Sequence, residues 1–144
     1  MQRFTLRNAN WASDGAALRA VRTAVFVDEQ HVPLALQLDE HDADSLHVLA
    51  LDPHGTPIGT ARLLADGHIG RMAVLRTWRG QGVGSAMLQA LIGAARARGL
   101  HEVVLNAQTH ATAFYARHGF LAEGEEFPDA GIPHRRMRLL IAPG

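Results

Sequence analysis

Seven consecutive residues, Arg79-Gly80-Gln81-Gly82-Val83-Gly84-Ser85, carry the clearest chemistry in this chain. Three glycines at alternate positions leave the backbone bare, and an apolar helical pattern follows at once. The first amides of a helix have no internal partner, and the helix dipole places partial positive charge on them. Such a loop is a receptor for phosphate or pyrophosphate, and Arg79 adds a fixed charge with a planar fork of donors. Two common phosphate loops do not fit. The lysine-bearing nucleotide loop is excluded because the chain has no lysine. The G-x-G-x-x-G dinucleotide fingerprint fails at its last glycine, whether counted from Gly80, where Ser85 stands, or from Gly82, where Met87 stands.

A second motif lies downstream. Phe114-Tyr115-Ala116-Arg117-His118-Gly119-Phe120 places a tyrosine on a short helix, with glycine and phenylalanine four and five positions later. One helix, one strand and one short helix separate it from the glycine loop. The strand Ile69-Gly70-Arg71-Met72-Ala73-Val74 runs directly toward Arg79.

R-x-x-G-x-G followed by Y-x-x-x-G-F resembles the GNAT family of acyl-CoA N-acyltransferases, and the match covers most of residues 45 to 123. Val25 to Gln30, His47, Gly59 to Arg62, Ala107-Gln108 and Gly131 to His134 look like its ElaA-type subgroup. The resemblance implies acetyl-CoA as acyl-donor cosubstrate, no metal, and direct attack by a primary amine in a ternary complex. Gly80, Gln81, Gly82, Val83, Gly84, Ser85 and Arg79 would hold the pyrophosphate. Met72, Ala73 and Val74 would pair with the pantetheine arm, and a backbone amide there would polarise the thioester carbonyl. Tyr115 would donate to the leaving sulfur. Gln108 stands where many members carry asparagine, and its longer side chain shifts the amide by roughly one bond length. The resemblance implies for this position a contact with the acceptor or with the pantetheine arm.

The attacking amine must lose a proton, since an alkylamine with a pKa of ~10 is mostly charged at neutral pH. Glu29, His47 and His134 are the candidate bases and acceptor-site residues. The run Asp39-Glu40-His41-Asp42-Ala43-Asp44 matches no common zinc spacing and reads as a solvated acidic loop. A second reading places Asp42 and Asp44 at the edge of the acceptor site, attracting a cationic amine.

Regular elements must position these groups. Phe4 to Arg7 reads as a first strand. Asn10 or Ser13 caps a helix with Leu18, Val21, Val25 and Phe26 on one side, and Asp28 to Asp44 is irregular. Strands follow over Leu46–Leu51, Ile58–Leu64 and His68–Val74, joined by turns at Asp52–Gly55 and Ala65–Gly67. The helix carrying Val83, Met87, Leu88, Leu91, Ile92 and Ala95 ends at Gly99. A buried strand from Glu102, a short helix over Ala111–Arg117 and strands from Phe120 and from Arg135 complete the chain. The order predicts an α/β (α+β) fold with a central mixed antiparallel and parallel sheet flanked by helices.

Composition sets the outer bounds. The 144 residues suffice for one domain, 47% of them are hydrophobic and 19% charged, and net charge is zero with neutral histidines. No field draws such a chain to nucleic acid or an anionic membrane. The absence of cysteine excludes disulfides and a cysteine acyl carrier. No signal core or membrane-length apolar run is present, so a cytoplasmic enzyme is expected. The acceptor would be a small-molecule or peptide amine, and a homodimer is a possible assembly. A non-catalytic acyl-CoA-binding or sensing module on the same fold is the alternative, because fold and donor loop do not guarantee chemistry.

Overall fold

The computed structural model describes residues 3–37 and 39–142. Strands β1 (Thr5–Ala9), β2 (Leu46–Leu51), β3 (Pro57–Leu63) and β4 (Ile69–Val74) form an antiparallel sheet in that order. Strands β5 (Glu102–Gln108), β6 (Leu121–Asp129) and β7 (Ile132–Leu140) form a second antiparallel sheet, ordered β5-β7-β6. Helix α1 (Trp11–Arg22) follows β1, α2 (Leu34–Gln37) precedes β2, α3 (Val83–Ala97) links the two sheets, and α4 (Thr112–Arg117) follows β5. The predicted parallel component of the sheet reduces to one bridge, His68 with Val104, reinforced by the Val104 N–H donating to Gly67 O at 3.1 Å. Beyond that bridge β4 and β5 share no ladder, so the molecule is split between their C-terminal ends.

Helix α3 explains most of the core. Val83, Met87, Leu88, Leu91, Ile92 and Ala95 are all buried, against Val48, Ala50, Ile58, Ala61 and Leu63 of β2 and β3. A hydrophobic stripe at this spacing has one way to leave water. Gly99, with φ of 77°, ends the helix, and the Leu100 N–H returns to Ala95 O at 3.1 Å. Asn10 caps α1 by accepting from the Ala12 N–H at 2.8 Å. Helix α1 packs on the opposite sheet face, where strand alternation places the cross-strand partners His47 and Arg62.

That face holds a finding contrary to the sequence reading. The acidic run is solvated only in part: Glu40, His41, Ala43 and Asp44 are exposed, but Asp42 is 1% exposed. Arg22, itself buried, grips it with Nη1 at 3.0 Å and Nη2 at 2.9 Å, and Arg62 Nη1 adds a contact at 2.9 Å. Asp39 receives Arg62 at 2.6 and 2.7 Å and Arg71 at 3.1 Å. The arginines come from α1, β3 and β4, so pairing them needs the tertiary fold, which charge patterning along the chain cannot show. Asp44 is exposed. Neither Asp42 nor Asp44 lines the cleft described below, so the acceptor-edge reading of this run does not hold.

The cluster has a pH signature. Its arginines hold the Asp39 carboxyl at about 2, against 3.8 ordinarily. Burial lowers His47 below 6.5, opposed by its bond to the Asp42 carbonyl and aided by Arg22 and Arg62. Both folded values lie below the unfolded ones, so the unfolded chain binds more protons and stability drops as the pH is lowered. The His47 loss begins below about pH 6.5. The Asp39 loss, about 2 kcal/mol at most, follows as pH falls from about 4 through about 2. Thermal melts across pH should show two declining stages, with His47→Gln removing the upper and Asp39→Asn the lower.

Candidate active site

The split between β4 and β5 opens a cleft of about 1040 Å³, the upper end of ligand-site volumes. One end is floored by the glycine loop. Gly80 and Gly82 have φ of 76° and 88°, and a Cβ on either would meet nothing within 4 Å. Only glycine adopts this backbone cheaply, and the loop leaves open space where side chains would stand. Gly82 is also the N-cap of α3 and provides no side-chain cap, so the first-turn amides are unmet by any side chain there. Gly84 differs from them, since a Cβ there would stand at ordinary contact distance, 3.4 Å, from Phe114 Cζ.

Strand β4 forms one wall. The Leu75 N–H donates across to Ile58 O at 2.9 Å, so alternation turns the preceding peptide group, at Val74, away from β3. Its carbonyl accepts from Arg79 Nε at 3.0 Å. The pairing with β3 slips by one residue between Thr60 and Arg62, and Arg71 opposite the slip has φ of 49°. This bulge bends the wall beside Met72, a frequent device next to functional sites.

Tyr115 enters from α4. Its ring packs edge-on against Phe114 at 5.0 Å and Phe120 at 5.9 Å. The hydroxyl donates to Met72 Sδ at 3.7 Å, and burial pushes its pKa up to about 12. Tyr115 is therefore a neutral donor throughout the physiological range, aimed at a sulfur on β4.

The other end is built from the segment after α1 and from the β6–β7 hairpin. Residues Thr23–Glu29 continue α1 as a π-helix, with the Gln30 N–H donating to Val25 O at 3.0 Å. This wider turn brings Glu29 and Gln30 to the cleft. Gln30 and Gln108 exchange amide hydrogen bonds of 3.1 and 2.9 Å, and His110 Nε2 donates to Gln108 Oε1 at 2.7 Å. Glu29 binds both Nη atoms of Arg79 at 2.6 and 2.7 Å, which lowers its pKa. At the hairpin, Ala130 and Gly131 both have positive φ, the two-residue turn that holds β6 and β7 in register. Two residues into β7, His134 stacks on Phe127 at 6.1 Å with Nδ1 2.7 Å from Ile132 O. A carbonyl only accepts, so Nδ1 carries the proton and neutral His134 keeps a lone pair on Nε2.

Most sequence-predicted residues thus line one cleft: Met72, Ala73, Val74, Arg79, Gly80, Gly82, Val83, Gly84, Ser85, Gln108, Tyr115, Glu29 and His134. Two do not. The Gln81 side chain turns back to donate to Thr77 O at 3.2 Å. His47 is 0% exposed, stacked on Trp11 at 5.5 Å, with Nε2 donating to Asp42 O at 2.8 Å. It belongs to the buried ion cluster. Gln30, Arg71 and Asp129 also line the cleft; Gln30 and Arg71 lie in segments that carry the family resemblance but were given no role there, and nothing in the sequence pointed to Asp129. Among the described residues no three His, Asp or Glu converge as metal ligands, and no helix is long and apolar enough to cross a membrane.

Comparison with known proteins agrees with this architecture. The profile of the acetyltransferase (GNAT) domain matches residues 11–141. The chain is 42% identical over 121 residues to the uncharacterized N-acetyltransferase YjcF of Bacillus subtilis, covering 81% of this chain and 86% of that protein. An acyl-CoA N-acyltransferase from Pseudomonas aeruginosa superposes with a TM-score of 0.81 at 32% identity, over 94% of this chain and 99% of the other. Escherichia coli ElaA superposes with a TM-score of 0.83 at 28% identity, with the same coverage. A cleft with a bare glycine loop, an open strand edge and a half-buried tyrosine, together with the family profile matched over nearly the whole chain, places this protein in the GNAT family of N-acetyltransferases.

Proposed function

We propose that the protein transfers an acetyl group from acetyl-CoA to a primary amine of a small molecule or peptide, by direct attack within a ternary complex. The observation that carries this reading is the convergence on one cleft of the glycine loop, the β4 edge and Tyr115 from the donor side, with His134 entering from the other. Gly80, Gly82 and the first turn of α3 suit the pyrophosphate, and the edge of β4 suits the amide-rich pantetheine arm. The donor supplies a thioester, whose carbonyl the β4 backbone polarises.

Arg79 serves this site differently from the sequence expectation. With Nε on Val74 O and both Nη atoms on Glu29, it ties β4 to the π-helix, and the phosphate contacts fall to the loop backbone and Ser85. The same ion pair makes Glu29 a weak base. His47 is enclosed, so His134 is the group that takes the amine proton, on Nε2, directly or through one water. Tyr115 donates a hydrogen bond to the departing sulfur. Full transfer from a phenol at about 12 to a thiolate of ordinary pKa ~8.5 is uphill by about 5 kcal/mol, so stabilisation by the hydrogen bond precedes any transfer.

His134→Gln tests the base. It is expected to lower kcat about 100-fold near neutral pH, with acetyl-CoA affinity unchanged. Raising the pH toward the acceptor's own pKa should restore much of the rate, since free amine then no longer needs a base. A deficit that stays constant with pH would assign His134 to binding.

A further inference from the structure

A histidine outside the cleft lining holds one of the donor-loop side chains. His118 Nε2 lies 3.0 Å from Ser85 Oγ, and His118 Nδ1 lies 2.8 Å from the Gln89 side-chain nitrogen. The Gln89 amide N–H can only donate, so Nδ1 accepts and the ring proton sits on Nε2. His118 is therefore the donor to Ser85, and the serine's own hydrogen is left for another acceptor. Ser85 lines the cleft in the first turn of α3. A serine in a helix otherwise tends to bond back to a carbonyl one turn earlier, which would spend its proton inside the helix.

We propose that His118 is a positioning residue of the donor site, fixing the Ser85 hydroxyl as a hydrogen-bond donor to the phosphates of the acyl donor. This rests on the assignment of the glycine loop to acetyl-CoA. His118 also stands at the end of α4, where its N–H donates to Tyr115 O at 2.9 Å and its ring meets Phe114 at 5.2 Å. The residue that prepares the phosphate contact is thus tied to the helix that carries Tyr115. The Y-x-x-x-G-F pattern leaves this position unspecified, which is why the motif did not single it out.

The test is a double-mutant cycle read by calorimetric titration with acetyl-CoA. Ser85→Ala and His118→Phe are each expected to weaken binding ~5- to 20-fold, the loss of one charge-assisted hydrogen bond. The double variant should be no weaker than the weaker single. His118→Gln, which keeps an N–H donor, should stay within about threefold of the parent. S-acetylpantetheine, which lacks the phosphates, should bind all variants alike. Gln89→Leu serves as a second variant on an exposed contact, expected to weaken acetyl-CoA a few-fold by freeing the tautomer. Unchanged binding in His118→Phe, multiplying effects in the double variant, or equal losses with S-acetylpantetheine would overturn the proposal and reduce His118 to packing. Failure of the unaltered protein to bind acetyl-CoA would instead overturn the donor-site assignment, before any variant is compared.

Discussion

Tyr115→Phe is expected to lower kcat about 100-fold while leaving acetyl-CoA affinity within about twofold, a loss near 2.7 kcal/mol confined to the transition state. The ring contacts with Phe114 and Phe120 are made by carbon atoms that phenylalanine retains, so the fold and the cleft wall survive. Only the hydroxyl goes, and its one hydrogen-bond partner among the described residues is a thioether sulfur on β4. An interaction that matters only as the sulfur departs shows in kcat and leaves ground-state binding intact. With its pKa at about 12, Tyr115 stays protonated through the working range. An alkaline fall in rate well below that value would belong to another group. Full kcat in the variant, with chemistry rate-limiting, would remove Tyr115 from the mechanism.

Gly82→Val should abolish donor binding, weakening acetyl-CoA at least 100-fold, equivalent to about 2.7 kcal/mol. Two effects act together. The backbone at φ 88° is one that a β-branched residue adopts only with strain, costing ~1–2 kcal/mol of stability. The added side chain also occupies space that is open now and that the phosphates need. The strain appears as a lower melting temperature of the free protein, and the obstruction as lost calorimetric affinity. Gly84→Ala provides the contrast. Its Cβ would stand at ordinary contact distance from Phe114, and no positive φ is involved, so a much smaller effect is expected.

The glycine loop, Tyr115 and the helical stripe of α3 were legible in the sequence because each is local: a spacing, a period or a motif within one segment. The turns at Gly55 and Gly67 and the caps at Asn10 and Gly99 were legible for the same reason. What escaped depends on distant segments meeting. Nothing near Asp42 in sequence announces Arg22 and Arg62, so a buried ion pair reads as a solvated acidic run. His47 carries imidazole chemistry as a residue type, but its strand register faces it into that cluster beneath α1. The π-helix over Thr23–Glu29 has no spacing signature of its own, although it is what brings Glu29 and Gln30 to the cleft. Arg79 was expected to hold the pyrophosphate, and its engagement with Glu29, fifty positions earlier, could come only from the fold.

Catalysis itself is the central claim, and the most direct test incubates the protein with acetyl-CoA and a broad panel of primary amines. Thiol release and N-acetylated product are followed together by mass spectrometry. The account predicts thiol and acetylated amine in equal amounts for at least one acceptor class, abolished by Gly82→Val and sharply reduced by Tyr115→Phe. Saturable acetyl-CoA binding with no acetylated amine across the panel would contradict it, and would make the protein an acyl-CoA-binding module on the same fold.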